Sequence, residues 1–438
     1  MPSHLLQRAS LLYLATIAVG VWGYAVGAHH VFPYEIVHGT YTELRSFLRG
    51  GAGEQKSTLD ILTMHIQEQR NRYDYGGFVQ RDPDFTDPGF LLLPRWSKPD
   101  DQVIVELVKL RDFSVSHRWK PDLEEIARRG REDRPEVKVP HHKAGLRMHH
   151  PVLLSDGGLV FNLGHGALAR INRNGEIVWV RGGLFHHSVE LDAEQRIHAV
   201  TEIIPASENS PPGLTDDGYA VISPSGEMLE QHSLAGILRE NGYDWLLMGM
   251  GRVDPKDLVH LNDVQPVLSD AGELRQGDLL LSLRDRSSIV HYRPAERRVI
   301  RVKSGPWTLQ HDPDVLPDGR IAVFDNAAYL APDGKYKRAR PLASVVIWDP
   351  ADDSAERPFE QAIKAADVFT TSGGQVQVLG NGDALLDESV WRRVLRVSPE
   401  GGVRWEFVNA DPEDPERAAM IYWARYVEQD DPRLAWLP

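Results

Sequence analysis

Cysteine is absent from the 438-residue sequence, and that absence removes disulfides, thiolate metal sites and thiol nucleophiles together. Positive charge is in deficit: 49 Lys and Arg against 63 Asp and Glu leave a formal charge of −14 at pH 7. Binding a phosphate backbone needs a cationic face, so nucleic acid is not an expected partner. An anionic substrate must instead meet individually placed Arg, Lys or His. A Gly-rich phosphate loop, a GxSxG elbow and a dinucleotide fingerprint are all missing, so no cofactor is expected. Helix-favouring low-complexity runs are missing too. With 37 Gly and 29 Pro to supply turns, many short strands are the expected texture.

One long uncharged apolar run is present, Leu11–Ala28 (LLYLATIAVGVWGYAVGA). It lies near the lower limit for a membrane-spanning helix, which needs about 20 apolar residues. The preceding head carries Arg8 and no acid, which orients the N-terminus to the cytoplasm and the rest of the chain outward. The rival reading is a cleaved signal peptide ending near Val26-Gly27-Ala28. Residues 1–33 are thus expected to be an anchor or signal segment. Residues 34–87 read as a helical stalk with Ser57 as a cap, a dimerising helix being the second reading. A propeller domain is assigned to 88–425 and a tail to 426–438, with AAMIYWARYV near the end read as a short amphipathic helix.

The propeller expectation comes from internal repetition. HHPVLLSDGG, HHSVELDAEQ and QHDPDVLPDG place His149, His187 and His311 at one interval before Asp156, Glu194 and Asp318. His260-Leu261-Asn262-Asp263-Val264 overlays His311-Asp312-Pro313-Asp314-Val315, and Gly374 takes the histidine's place in QVQVLGNGD. Hairpin signals follow each copy, Asn174-Gly175 being the clearest. Six units of roughly 40 to 50 residues, each with four strands, predict an all-β, six-bladed propeller.

In such a ring the inner strands line a central channel, so the four histidines should meet at one mouth. Four in register argue against mere turn-capping, because a cap would drift to Asn, Ser or Asp among copies. Arg284, at the end of an inner strand pair, adds a fork for an oxyanion with equivalent oxygens. Zn or Cu is the alternative use of the histidines, but a metal leaves the arginine unexplained; no metal is assigned.

HLNDV, SLRD, QHDPDVLPDG and FDN, taken together and in order, resemble the bacterial arylsulfotransferase family over about residues 88–425. The resemblance implies a six-bladed propeller with its site in the channel, and transfer of a sulfuryl group from a phenolic sulfate ester to another hydroxyl without a nucleotide donor. It implies that His311 is the transiently sulfated nucleophile and that His260 and Asn262 contact the sulfuryl or bridging oxygens. Arg284 would neutralise the sulfuryl group, and His187 would complete the ring; His149 receives no role. Partners would be a small sulfate ester and an acceptor, on the periplasmic side of the bacterial inner membrane. Well-known members have a cleaved signal and a cysteine pair, whereas this chain has no cysteine. Two other readings are a tethered propeller that scaffolds an envelope complex without turnover, and a metal- or quinone-dependent dehydrogenase propeller.

Overall fold

The computed structural model describes residues 68–135, 146–211, 213, 215–248, 257, 259–331 and 336–437. The apolar run at 11–28 and the stalk up to residue 67 lie outside the described residues. Among those described, no helix is long and apolar enough to cross a membrane. The chain divides into two compact units, Met1–Leu62 and Thr63–Pro438, and the described residues all fall in the second.

That unit is all-β and propeller-like, built from antiparallel sheets. One sheet has the order β28-β3-β4-β5, with β3 Phe90–Ser97, β4 Gln102–Lys109, β5 Ser114–Trp119 and β28 Arg425–Val427. A seven-stranded sheet follows from β6 to β12 in sequence order. It comprises β6 His149–Leu153, β7 Leu159–Asn162, β8 Gly166–Ile171, β9 Ile177–Leu191, β10 Ile197–Glu202, β11 Asp217–Ile222 and β12 Met228–Ser233. The long β9 pairs through its first half with β8 and through its second half with β10.

The next sheet is β13 Leu261–Pro266, β14 Leu279–Leu283, β15 Ser288–Arg293 and β16 Arg298–Ser304. Then come β17 His311–Val315, β18 Ile321–Asp325, β21 Ser344–Trp348 and β22 Ala355–Glu356. A separate hairpin of β19 Ala328–Leu330 and β20 Tyr336–Arg338 is inserted between β18 and β21. The last sheet is β23 Gln375–Val378, β24 Ala384–Glu388, β25 Arg393–Val397 and β26 Val403–Val408, with β2 Gly77–Gln80 added on β26.

Strands such as β4 (QVIVELVK) and β14 (LLLSL) are apolar on both faces because each sheet is packed between two others. Val105 and Leu107 meet Leu159 and Phe161; Val200 and Tyr219 meet Leu279 and Leu281; Phe324 and Val345 meet Leu386 and Leu395. Leu385 and Val394 of the last sheet meet Leu91 and Val108 of the first, so the circle closes. Each fully buried Leu or Phe here contributes about 1.5–3 kcal/mol relative to exposure.

The inner strands share one irregularity. At or just before the start of β6, β13, β17, β23 and β28, and inside β9, the backbone turns left-handed: His150 (φ 49°), His260 (56°), Asp312 (52°), Gly374 (101°), Trp423 (79°) and His187 (52°). The ladder slips at the same places, between His149 and Val152, Leu261 and Asp263, and His311 and Asp314. A bulge of this kind re-aims the side chain beside it, and here that side chain is usually a histidine.

Two expectations are corrected. AAMIYWARYV is not a helix: β27 Arg417–Ala419 pairs with β1 Glu68–Arg70, and β28 pairs with β3 as the inner strand of its sheet. The left-handed Trp423 interrupts any helical path through it. The end of the expected stalk is strand as well, because β1 and β2 find partners near the other end of the chain.

Candidate functional site

At one mouth of the ring a cavity of about 460 Å³ is lined by His165, His186, His187, His260, Arg284 and Tyr336, together with Thr215 and the carboxylates of Glu202, Asp217 and Asp257. His260 and His187 come from neighbouring inner strands and meet Nε2 to Nε2 at 3.3 Å. Asp257 holds His260 twice: its Oδ1 accepts the His260 backbone N–H at 2.8 Å, and its Oδ2 lies 2.6 Å from Nδ1. The other nitrogen of His187, Nδ1, is 2.6 Å from Nδ1 of His186. His165 stacks on His186 with ring centres 4.7 Å apart.

Arg284 is nearly buried between two anchors. Its Nε donates to Asp285 Oδ1 at 2.9 Å and its Nη2 to the Tyr336 hydroxyl at 2.8 Å. Tyr336 is carried by the inserted β19–β20 hairpin, which therefore forms part of the cavity wall.

His311 is 3% exposed and its Nδ1 lies 2.7 Å from Asn326 Oδ1. The amide orientation of Asn326 is fixed, because its Nδ2 donates to the carbonyls of Thr370 and Gly373 at 3.1 and 2.6 Å. Oδ1 must then accept, so Nδ1 of His311 carries the proton and Nε2 keeps a bare lone pair.

Burial and the nearby Arg284 charge push the His311 pKa down to about 3, against the opposing pull of Asn326. Burial and His165 take His186 down to about 3, burial and Arg147 do the same for His149, and burial with His260 holds His187 well below the ordinary value. These rings are neutral at physiological pH. Burial and the adjacent Asp257 push Asp217 up to about 7. Burial works to raise Asp257 as well, but its hydrogen bonds from His260, with the nearby Arg284 charge, outweigh it and hold the carboxyl below its usual range.

Of the five residues expected from the sequence, His187, His260 and Arg284 line one cavity, and His311 lies within electrostatic reach of Arg284 and His260. Asn262 does not line it. Its Nδ2 donates to the Gln310 carbonyl at 2.8 Å, tying the strand that follows His260 to the residue before His311, while its buried Oδ1 has no donor among the described residues. His149 begins β6 as expected and packs against Tyr422, ring centres 5.6 Å apart.

Sequence reading gave no role to Asp257, His186, Asp217, Asn326 or Tyr336. The HH doublet and the FDN motif were available signals for His186 and Asn326; nothing in the sequence marks Tyr336. Among the described residues, no group of three or more His, Cys, Asp or Glu has the geometry to hold a metal ion.

The Arylsulfotransferase (ASST) family model matches residues 148–410. No curated protein matches the sequence. Among solved structures, a protein of unknown function from Bacteroides caccae is similar with a TM-score of 0.50 at 11% identity, over 78% of this chain and 99% of that one. A virginiamycin B lyase from Staphylococcus aureus, crystallised with quinupristin, is similar with a TM-score of 0.39 at 8% identity, over 76% of this chain and 89% of that one. At 11% identity the first of these likenesses speaks to the fold alone.

Proposed function

The chain belongs to the arylsulfotransferase family, and from that premise we propose that it moves a sulfuryl group from a phenolic sulfate ester to an acceptor hydroxyl through a sulfo-histidine at His311. Membership carries sulfotransferase activity in general; the intermediate and the roles below are our reading. The observation that carries it is the Asn326–His311 pair, which leaves Nε2 unprotonated in a neutral ring held near Arg284.

In the first half-reaction His311 Nε2 forms a bond to sulfur as the S–O(aryl) bond breaks, and the leaving oxygen takes a proton from the His187–His260 pair. Arg284 offsets the sulfuryl charge and is kept in place by Asp285 and Tyr336. In the second half the acceptor oxygen attacks the sulfo-histidine, returns a proton to the imidazoles and regenerates neutral His311. Asn262 acts at one remove, by fixing the backbone that enters the His311 strand. An open cavity lined by histidines supports an enzyme over the scaffold reading.

We read the seven-stranded sheet as two blades that share β9, which makes six blades in all. We also read residues 11–28 as a tether that places the propeller on the periplasmic side of the membrane.

Brief exposure of the purified protein to an aryl sulfate, followed by peptide mass spectrometry, tests the proposal. A sulfated peptide containing His311, absent from His311→Ala, is the expected result. Equal product release by the two proteins, with no sulfated histidine, overturns it.

A further inference from the structure

Three imidazoles and two carboxylates lie in a line along the cavity wall, Asp257, His260, His187, His186 and Asp217, joined by three contacts of hydrogen-bond length and one longer approach. The contacts are Asp257 Oδ2 to His260 Nδ1 at 2.6 Å, His260 Nε2 to His187 Nε2 at 3.3 Å, His187 Nδ1 to His186 Nδ1 at 2.6 Å, and His186 Nε2 to Asp217 Oδ1 at 3.6 Å. Two facing lone pairs repel and two facing N–H groups clash, so in the resting protein each nitrogen–nitrogen contact at this range holds one proton.

That rule fixes the tautomers. Asp257 is ionised, so His260 carries its proton on Nδ1 and presents a bare Nε2. His187 must then donate from Nε2, which leaves its Nδ1 bare, and His186 must donate from Nδ1. With one proton in each contact all three are filled, and the one nitrogen left over is His186 Nε2. It is buried with no hydrogen-bond partner among the described residues, and it faces Asp217. All three rings are polarised in one direction, from Asp217 toward His260.

We propose that Asp217, His186, His187 and His260 form a one-proton relay, with Asp257 as the positioning residue that sets its direction. The proposal rests on the sulfuryl-transfer reading above and names where that reaction keeps its proton. As the S–O(aryl) bond breaks, Asp217 gives its proton to His186 Nε2, and the Nδ1 proton of His186 passes to His187 Nδ1. The Nε2 proton of His187 passes to His260 Nε2 and on to the aryl oxygen. One proton enters the leaving phenol, Asp217 is left as a carboxylate, and the gap between His187 and His260 has no proton. The acceptor hydroxyl refills that gap when its oxygen attacks sulfur, and the sequence runs in reverse. No outside acid or base is consumed.

Asp217 is suited to the reservoir role because burial and Asp257 delay its ionisation, while Leu261 N–H, at 3.0 Å from Oδ2, keeps the carboxyl in place. The other groups facing the line are Glu202, Arg284 and His165, whose Nδ1 is 3.7 Å from Glu202 Oε1. Arg284 is already engaged with Asp285 and Tyr336.

The test is the dependence of His311 sulfation on the leaving group, read by quenched single-turnover mass spectrometry in the full chain. Nitrophenyl sulfate releases a weakly basic phenolate that needs little help from an acid; phenyl sulfate releases one with a pKa of about 10, like tyrosine, that needs it. Asp217→Asn, which retains an acceptor for Leu261 N–H, should slow phenyl sulfate about a hundredfold and nitrophenyl sulfate less than fivefold. Equal slowing of both donors, or of neither, overturns the relay. If Asp217→Asn fails to fold, His186→Gln is compared in the same way.

A second readout needs no turnover. Low-field proton NMR of the wild-type protein should contain exchangeable imidazole N–H resonances, one of which shifts or disappears in Asp257→Asn. Their absence from the wild type overturns the relay. Should the wild type never sulfate His311 while the resonances are present, the sulfuryl-transfer reading fails and the hydrogen-bonded line stands.

Discussion

Asn326 decides which nitrogen of His311 is chemically useful. With Nδ2 committed to two carbonyls it can only accept, so the ring is locked with Nε2 free. Replacing it with Leu removes the lock and strands those carbonyls. Asn326→Leu is expected to slow His311 sulfation roughly a hundredfold or more and to cost about 1–3 kcal/mol in urea unfolding. An unchanged sulfation rate would show that the tautomer is immaterial. The letters of this site were partly legible in the sequence: HLN, QHD and Arg284 stand in repeated contexts. Asp257 was not, because its link to His260 is a local turn contact that any acidic residue near a histidine resembles on paper.

At the scale of elements, each inner strand reaches the mouth through a left-handed residue, and Gly374 is the case where the reason is steric as well. A Cβ there would lie 2.4 Å from the Phe324 ring at φ +101°. Gly277, at φ +86° with nothing within 4 Å, isolates the backbone contribution. Gly374→Val should therefore destabilise by roughly 3 kcal/mol or more, and Gly277→Ala by about 1 kcal/mol. Matched costs in denaturant unfolding would refute the packing argument. Strand placement was largely legible because alternation and turn residues are local signals. The late strand β28 was not: Tyr422 to Val427 has spacing that suits a helix equally, and only its pairing with β3, from the far end of the chain, makes it a strand.

Across the whole molecule, the six-unit repeat was readable as a pattern, whereas the sharing of β9 between two sets of partners has no sequence mark. Neither has the gathering of Glu190, Asp263, Asp312 and Asp314 around Arg425 further along the inner strands, where Arg425 Nη2 lies 2.6 Å from Glu190 Oε1. Burial and Glu190 hold the Asp263 carboxyl well above its usual pKa. Its folded form keeps a proton that the unfolded chain releases above about pH 3.9, so this group's contribution to stability is present at low pH and lost as pH rises. The buried neutral histidines act oppositely, withdrawing stability as pH falls below about 6.5. Asp263→Asn removes the first effect and leaves the histidines in place. As pH rises above about 4 its stability relative to wild type should grow, and a difference that does not vary with pH would contradict the assignment.

The pairing of β28 with β3 has a further consequence. The sheet begun by some of the earliest described residues is finished by some of the last, with Arg425 reaching across to Glu190. During synthesis the emerging chain can stack its sheets in turn but cannot complete the circle until translation passes Val427. The histidine cluster is then held in final register only by a full-length product, so a stalled or prematurely ended chain would carry every histidine of the cluster without the closed ring that positions them.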